Sequence, residues 1–165
     1  MDQKVINHFK TKDPILYEVI KTLGKFESLH NNRGVDYFED LVGAIVSQQL
    51  STKAADTIFK RIKALVSNKS ITPKAILSLK DDQIRAAGMS YSKIKYIKDL
   101  AQKSKSGEIN LNNLKNLPNE EVIGELVKIK GIGRWTAEMF LIFSLKREDV
   151  FSHGDLGLQN AIKKI

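Results

Sequence analysis

Two glycines one residue apart, Gly131 and Gly133, lie in the stretch LVKIKGIGRWTA from Leu126 to Ala137, between two apolar-periodic segments. Glycine lets the backbone come close to a ligand, and the free N–H groups of a helix starting near Arg134 or Trp135, with its dipole, favour an anion and suit a phosphate. Lys130 and Arg134 beside them read as phosphate-facing cations. A plain helix–turn–helix corner has the same spacing, so the glycines alone leave both readings open. Further along, Asp155 follows Gly154 and precedes a segment carrying Leu156, Leu158 and Ile162. That is where a helix N-cap belongs. Cap and chemistry are compatible there, because the dipole and nearby N–H groups keep a carboxylate ionised and able to face a developing cation.

Gln48 and Gln49 break a local rule. Phe38, Leu41, Val42, Ile45 and Val46 form an apolar stripe at helical spacing, and Gln49 continues it to a position expected to face the core. A polar group there needs a partner, and such conflicts are expected at functional sites; an amide capping a backbone group at the helix end is the alternative. Trp135 and Met139, four apart, share one helix face. They read either as core packing or as an electron-rich wall, since the face of an indole attracts a cation. His8, His30 and His153 lack metal-ligand spacing, and His153 reads as a solvated loop residue. No metal in the chemistry is implied.

The elements that must position these residues read as helices. Asp13-Pro14 and Thr72-Pro73 each place a capping oxygen before a proline suited to the first helical position, the former opening a segment that runs to Gly24. After Ser51-Thr52, a second stripe of Ala55, Ile58, Ile62, Leu65 and Val66 is expected to face the core. Gly88 closes a short helix, and Ile94, Ile97, Leu100 and Ala101 mark the next, which is expected to end in a polar loop from Lys103 to Asn113. A later helix carries Phe140, Ile142 and Phe143. With no alternating strand pattern, no repeat and no low-complexity tract, the predicted class is all-α.

The chain's 165 residues, 42% of them hydrophobic, suffice for one domain, or two small helical lobes sharing a cleft, but not for a second full domain. The 27 Lys and Arg against 19 Asp and Glu give a net charge of +8, which favours an anionic partner such as nucleic acid. The absence of cysteine excludes disulfides, thiol catalysis, zinc–cysteine sites and cysteine-held iron–sulfur clusters, and suggests an intracellular protein. The opening MDQKVINHFKTKD does not resemble a signal peptide, and no apolar run approaches the ~18 residues of a bilayer span, so a membrane role is not expected.

The Leu126–Ala137 stretch resembles the helix-hairpin-helix of the base-excision DNA glycosylase superfamily, and three features in order strengthen the resemblance. DVFSHGDLG follows, Trp135 stands twenty residues before Asp155, as a hairpin stands from the catalytic aspartate in that superfamily, and LVGAIVSQQLSTKAA at Leu41–Ala55 resembles the segment that enters the cleft in 3-methyladenine DNA glycosylases. The resemblance implies a single domain over residues 1–165, two helical lobes around a cleft, acting as a monomer in a bacterial or archaeal cytoplasm or a eukaryotic nucleus. Its partner would be duplex DNA carrying damaged bases. It would flip and hydrolyse out alkylated purines, leaving an abasic site.

In that reading Asp155 is the catalytic carboxylate, opposing the oxocarbenium-like sugar and aiming water at C1′. Trp135, Met139 and Gln48 line the base pocket, and Gln49 or Leu50 is the wedge that fills the hole in the duplex. Gly131, Gly133, Arg134, Thr136, Lys130 and Ser51 meet phosphates. Lyase enzymes of the superfamily carry a lysine at the position that Trp135 occupies here, so the resemblance implies a monofunctional enzyme without cofactor. Family hairpins hold a monovalent Na⁺ or K⁺ on carbonyls matching Val127, Ile129 and Ile132. Relatives continue past the position of Ile165 with helices that close the first lobe, so those closing helices are expected to be missing here, whether by trimming or in a natural minimal form. A non-catalytic helix-hairpin-helix DNA-binding module, and a glycosylase for a mismatched adenine or an oxidised purine, are the alternatives.

Overall fold

Several helices in this chain begin where a side-chain oxygen takes up N–H groups that the first turn cannot satisfy for itself. The Asp13 carboxylate accepts from Leu16 N–H, Asp36 from Phe38 and Glu39, Ser51 from Ala54, Thr72 from Ala75, and Ser90 from Lys93. A computed structural model describes residues 3–23 and 36–164, and the described residues are all-helical, with no strand. The helices are α1 (Gln3–Lys12), α2 (Pro14–Leu23), α3 (Tyr37–Ser47), α4 (Thr52–Leu65), α5 (Pro73–Ser78), α6 (Asp81–Ala86), α7 (Tyr91–Ser106), α8 (Asn119–Leu126), α9 (Arg134–Phe143) and α10 (Leu156–Ile162). Short 3₁₀ turns cover Ser67–Lys69 and Leu111–Asn116. Gly24 and His30 lie outside the described residues.

By its contacts the chain divides into two units, Met1–Arg33 with Ser152–Ile165, and Gly34–Phe151. The described buried apolar residues all belong to the second unit, running from Phe38 to Leu141. There α7 is the axis: α3, α5 and α6 all pack on it, and its stripe Ile94, Ile97, Leu100 and Ala101 is wholly enclosed. The expected stripe of α3 is buried at all five positions. In the first unit α1 packs on α2, and neither α1 nor α10 buries a residue. No described helix is long and apolar enough to cross a membrane.

Three expectations change. Leu65, placed in the core by periodicity, is 38% exposed, because α4 ends there and the chain turns inward only at Val66. The loop expected at Lys103–Asn113 is largely ordered: α7 runs on to Ser106, Gly107 closes it in a left-handed conformation, and a 3₁₀ turn begins at Leu111. Ile109 and Leu111 are buried in that stretch, so apolar anchoring outweighs its polar composition. Gln49 is exposed, not core-facing. The chain leaves the helix at Gln48, whose ψ of 127° is extended, and the helical period ceases to apply one residue before Gln49.

Truncating a fully enclosed side chain on the axial helix tests this packing. Ile97→Ala should destabilise the protein by about 2–5 kcal/mol, read as a lower urea midpoint at an unchanged slope.

Candidate nucleic-acid interface

The turn between α8 and α9 is held from inside by its own hydrophobic residues. Ile129 and Ile132 are buried, Ile129 N–H donates to Leu126 O at 3.0 Å, and Ile132 N–H donates to Ile129 O at 3.1 Å. Lys128, Lys130, Gly131 and Gly133 are left at the surface. Gly131 has φ +81°, and a Cβ there would lie 2.1 Å from Cδ2 of Tyr96, so both backbone sterics and the tyrosine ring demand glycine. Gly133 differs, with φ −97° and open space where its Cβ would be. It begins α9 without any side-chain cap, so the first-turn N–H groups of that helix have no side chain from Gly133 to accept from them.

Three side chains spaced three apart on α7 hold this region. Lys93 Nζ donates to the carbonyls of Val46 at 2.8 Å and Gln48 at 2.5 Å, the Tyr96 ring packs on Gly131, and Asp99 Oδ2 accepts from Lys130 N–H at 3.0 Å. One face of α7 therefore carries the end of α3 and the hairpin, while the adjacent face builds the core. Burial pushes the Lys93 pKa below the usual lysine value. From the other side, Gln48 Nε2 donates to Gly131 O at 2.8 Å.

Between these groups lies a cavity of about 590 Å³, with Gln48 and Gln49 from the end of α3, Lys93 and Tyr96 from α7, and Gly131 and Trp135 from the hairpin among its lining. The structure thus brings together Gln48, Gln49, Gly131, Trp135 and Thr136, five of the residues expected at the site. Trp135 is 48% exposed, so the core-packing reading does not hold for it, while Met139 one turn on is half-buried. Leu50 is exposed beside Gln49, and Gln49 adopts φ +56°, a left-handed conformation that costs a residue with a Cβ roughly 1–2 kcal/mol.

Other expected residues are engaged in ways the sequence did not reveal. Arg134 is held by both carboxylate oxygens of Glu120 and, through Nε at 3.0 Å, by the buried Glu138. Glu120 raises the Arg134 pKa, and Arg134 lowers that of Glu120. Lys130 Nζ stands 3.8 Å from Asp99 Oδ1 with most of its side chain exposed. Ser51 caps α4 through its hydroxyl, and Thr136 is buried. The carbonyls of Val127, Ile129 and Ile132 all belong to the hairpin, and that of Ile129 accepts from Ile132 N–H.

Asp155 lies in the other unit, at the start of α10, where Oδ1 accepts from Leu158 N–H at 2.8 Å. It is half-buried, and the neighbouring His153 is exposed, with its carbonyl accepting from Gln159 Nε2 at 2.7 Å. Asp149 accepts from Asn119 Nδ2 at 3.1 Å.

Lys93, Tyr96 and Asp99 were missed in the sequence. Lys93 did leave a signal: it stands four residues before Ile97, so a charge sits on the edge of an apolar stripe, the same kind of conflict that singled out the glutamines.

The sequence pattern of the HhH-GPD superfamily, base excision DNA repair proteins, matches residues 42–165. DNA-3-methyladenine glycosylase 1 of Schizosaccharomyces pombe is 38% identical over 158 residues, covering 94% of this chain and 69% of that protein. The DNA-3-methyladenine glycosylase of Saccharomyces cerevisiae is 37% identical, with 95% of this chain and 57% of that protein covered. Among solved structures, the S. pombe 3-methyladenine DNA glycosylase in complex with abasic DNA superposes with a TM-score of 0.85 at 38% identity, over 98% of this chain and 79% of that one. A DNA-3-methyladenine glycosidase from Bacillus halodurans gives 0.84 at 37% identity, over 98% and 73%.

Substitutions at the two glycines test whether folding and binding can be separated. Gly131→Ala should destabilise the protein, lowering its urea midpoint, because strain and the Tyr96 ring both oppose a Cβ. Gly133→Leu should fold normally yet weaken binding to damaged and undamaged duplex alike, measured by fluorescence anisotropy, since phosphate contacts carry no sequence information. Loss of lesion discrimination with nonspecific affinity intact would contradict the hairpin's role.

Proposed function

Because the chain belongs to the HhH-GPD superfamily of base excision DNA repair proteins, we propose that it is a monofunctional DNA glycosylase that hydrolyses alkylated purines such as 3-methyladenine out of duplex DNA. The observation that carries this reading is the half-exposed Trp135 on the wall of a 590 Å³ cavity that the phosphate-type hairpin also lines. A flipped base needs a pocket beside the point where its backbone is gripped, and an aromatic face to stack on. The same ring attracts a cationic purine in preference to a neutral one.

In the proposed mechanism the hairpin N–H groups hold a phosphate, the Gln49–Leu50 turn occupies the gap left in the stack, and the base rests against Trp135. The N-glycosidic bond then breaks with its electron pair passing to the base. An alkylated purine already carries positive charge, so it departs neutral and needs no acid. The positive charge left on the sugar is opposed by Asp155, and water adds at C1′ with loss of a proton. The cap bond from Leu158 N–H and the α10 dipole favour the ionised carboxylate that this role needs. Val127, Ile129 and Ile132 would hold a monovalent cation that helps fix the hairpin.

Two features support hydrolysis without strand cleavage. Position 135 offers no amine, and the Lys93 ammonium that lines the cavity donates to the carbonyls of Val46 and Gln48. On duplexes carrying one defined lesion each, excision of the alkylated base should appear as strand breaks only after alkali. Breaks before alkali would overturn the monofunctional part, and duplex binding with no base released from any lesion would overturn the enzyme reading.

Two substitutions test the assigned roles. Asp155→Asn keeps shape and capping ability but loses the charge, so it should fold and bind lesion DNA while single-turnover excision falls by orders of magnitude. Asp149→Asn, which retains an oxygen for Asn119, should leave turnover nearly unchanged; the larger loss at Asp149 would reverse the assignment. Trp135→Ala should reduce excision of cationic purines more than that of neutral hypoxanthine, by about 0.5–2 kcal/mol in activation free energy. Equal losses in a variant of normal helix content would make the ring structural.

A further inference from the structure

We propose that Lys93 is a positioning residue for the Gln48–Leu50 turn, fixing the height at which its exposed side chains stand over the hairpin and enter the duplex; this rests on the glycosylase reading above. The carbonyls at the end of α3 cannot be satisfied within the helix. Ser47 O accepts from Leu50 N–H at 3.1 Å, and Lys93 takes the two on either side of it, Val46 O and Gln48 O. One of these lies inside the helix and the other beyond it, so a single ammonium fixes the direction in which the chain departs.

The same residue is gripped from the opposite side, where the Gln48 amide donates to Gly131 O. Gln48 is thus a strut between α7 and the hairpin, with Gln49 held in its left-handed conformation immediately after it. A strained backbone persists only where its surroundings over-determine it, and these two anchors do so. Partial burial disfavours the Lys93 charge, and an aliphatic side chain of equal length would remove that cost but leave Val46 O and Gln48 O without their donor. The ammonium's bonds, rather than its bulk, are therefore what the site uses. A misplaced wedge would leave phosphate binding intact and impair base extrusion, since errors of about 1 Å in a positioned group can cost up to about a hundredfold in rate.

The test compares Lys93→Met, Lys93→Gln and Lys93→Arg with Lys103→Met, which removes an ion pair to Glu108 from the far end of the same helix. All are assayed where urea curves show each fully folded. Insertion of the turn is read from the fluorescence change of a 2-aminopurine next to an abasic-site analogue, excision from single turnovers on an alkylated duplex, and grip from affinity for undamaged duplex. Lys93→Met should keep undamaged-duplex affinity within about twofold, lose the insertion signal, and slow excision by about tenfold or more. Lys93→Gln, reaching one carbonyl only, should do the same in smaller measure and serves if the methionine variant does not fold. Lys93→Arg, retaining charge and several donors, should recover much of both signals.

Lys103→Met should change none of the three. The proposal is overturned if Lys93→Met inserts and excises like the unaltered protein, or if all three signals fall by one common factor, which would make Lys93 purely structural. An unaltered protein that gives the insertion signal but excises no base would refute the glycosylase reading alone, and the Lys93 variants would still be judged by insertion. No insertion signal from the unaltered protein would refute the positioning role.

Discussion

A helix leaves its last carbonyl oxygens in need of donors from elsewhere, and the end of α3 is where this constraint shapes the larger unit of the molecule. The donors are a backbone N–H three residues on and a lysine that lies 45 and 47 residues away in sequence from the two carbonyls it meets. Meeting that need places α7 against α3 at one rotation. Once α7 is so placed, Tyr96 and Asp99 arrive against the hairpin at Gly131 and Lys130. Helical spacing thus propagates one satisfied helix end into the position of the phosphate-type loop. The core stripe Ile94, Ile97, Leu100 and Ala101 holds the same rotation from the other face.

Gly131 is the point where these requirements meet. Its carbonyl accepts from Gln48, its φ excludes a side chain, and its α-carbon faces the Tyr96 ring. Individually, such a hydrogen bond contributes about 1 kcal/mol. Their joint effect is geometric: a base pocket must be held to within about 0.5 Å to be useful, and a residue fixed from three sides has little freedom to depart from its place. Gly133 carries none of these constraints, which is consistent with a surface reserved for a ligand and not for folding.

What the sequence made legible follows the range of each signal. Caps at Asp13, Thr72 and Asp155, the stripes of α3 and α7, and the hairpin glycines are all encoded within a few residues of the place they act, and each was readable there. Gln49 was misplaced because periodicity presumes that the helix continues, and the event that ends it, the extended ψ of Gln48, depends on Lys93 and Gly131. Arg134 reads as a phosphate-facing cation, and its pairing with Glu120, fourteen residues upstream, has no local signal. The exposed Leu65 and the ordered Lys103–Leu111 stretch were decided by where the chain next found apolar surface, at Val66 and at Ile109. In each case the missing information was a contact between distant segments.

Asp155 shows the opposite economy. Its unit contributes none of the described buried apolar residues, so a dense core does not fix the carboxylate as it fixes Ile129 and Ile132. Locally, the acceptor oxygen meets an N–H three residues on at 2.8 Å, and the Gln159 amide ties the same turn to the carbonyl of His153. A cap of this kind sets the orientation of the carboxylate relative to its own helix. This explains why the cap could be read from sequence. It also assigns different physical origins to the two halves of the proposed chemistry, with grip and base pocket built by long-range packing on α7, and charge stabilisation built by one helix cap.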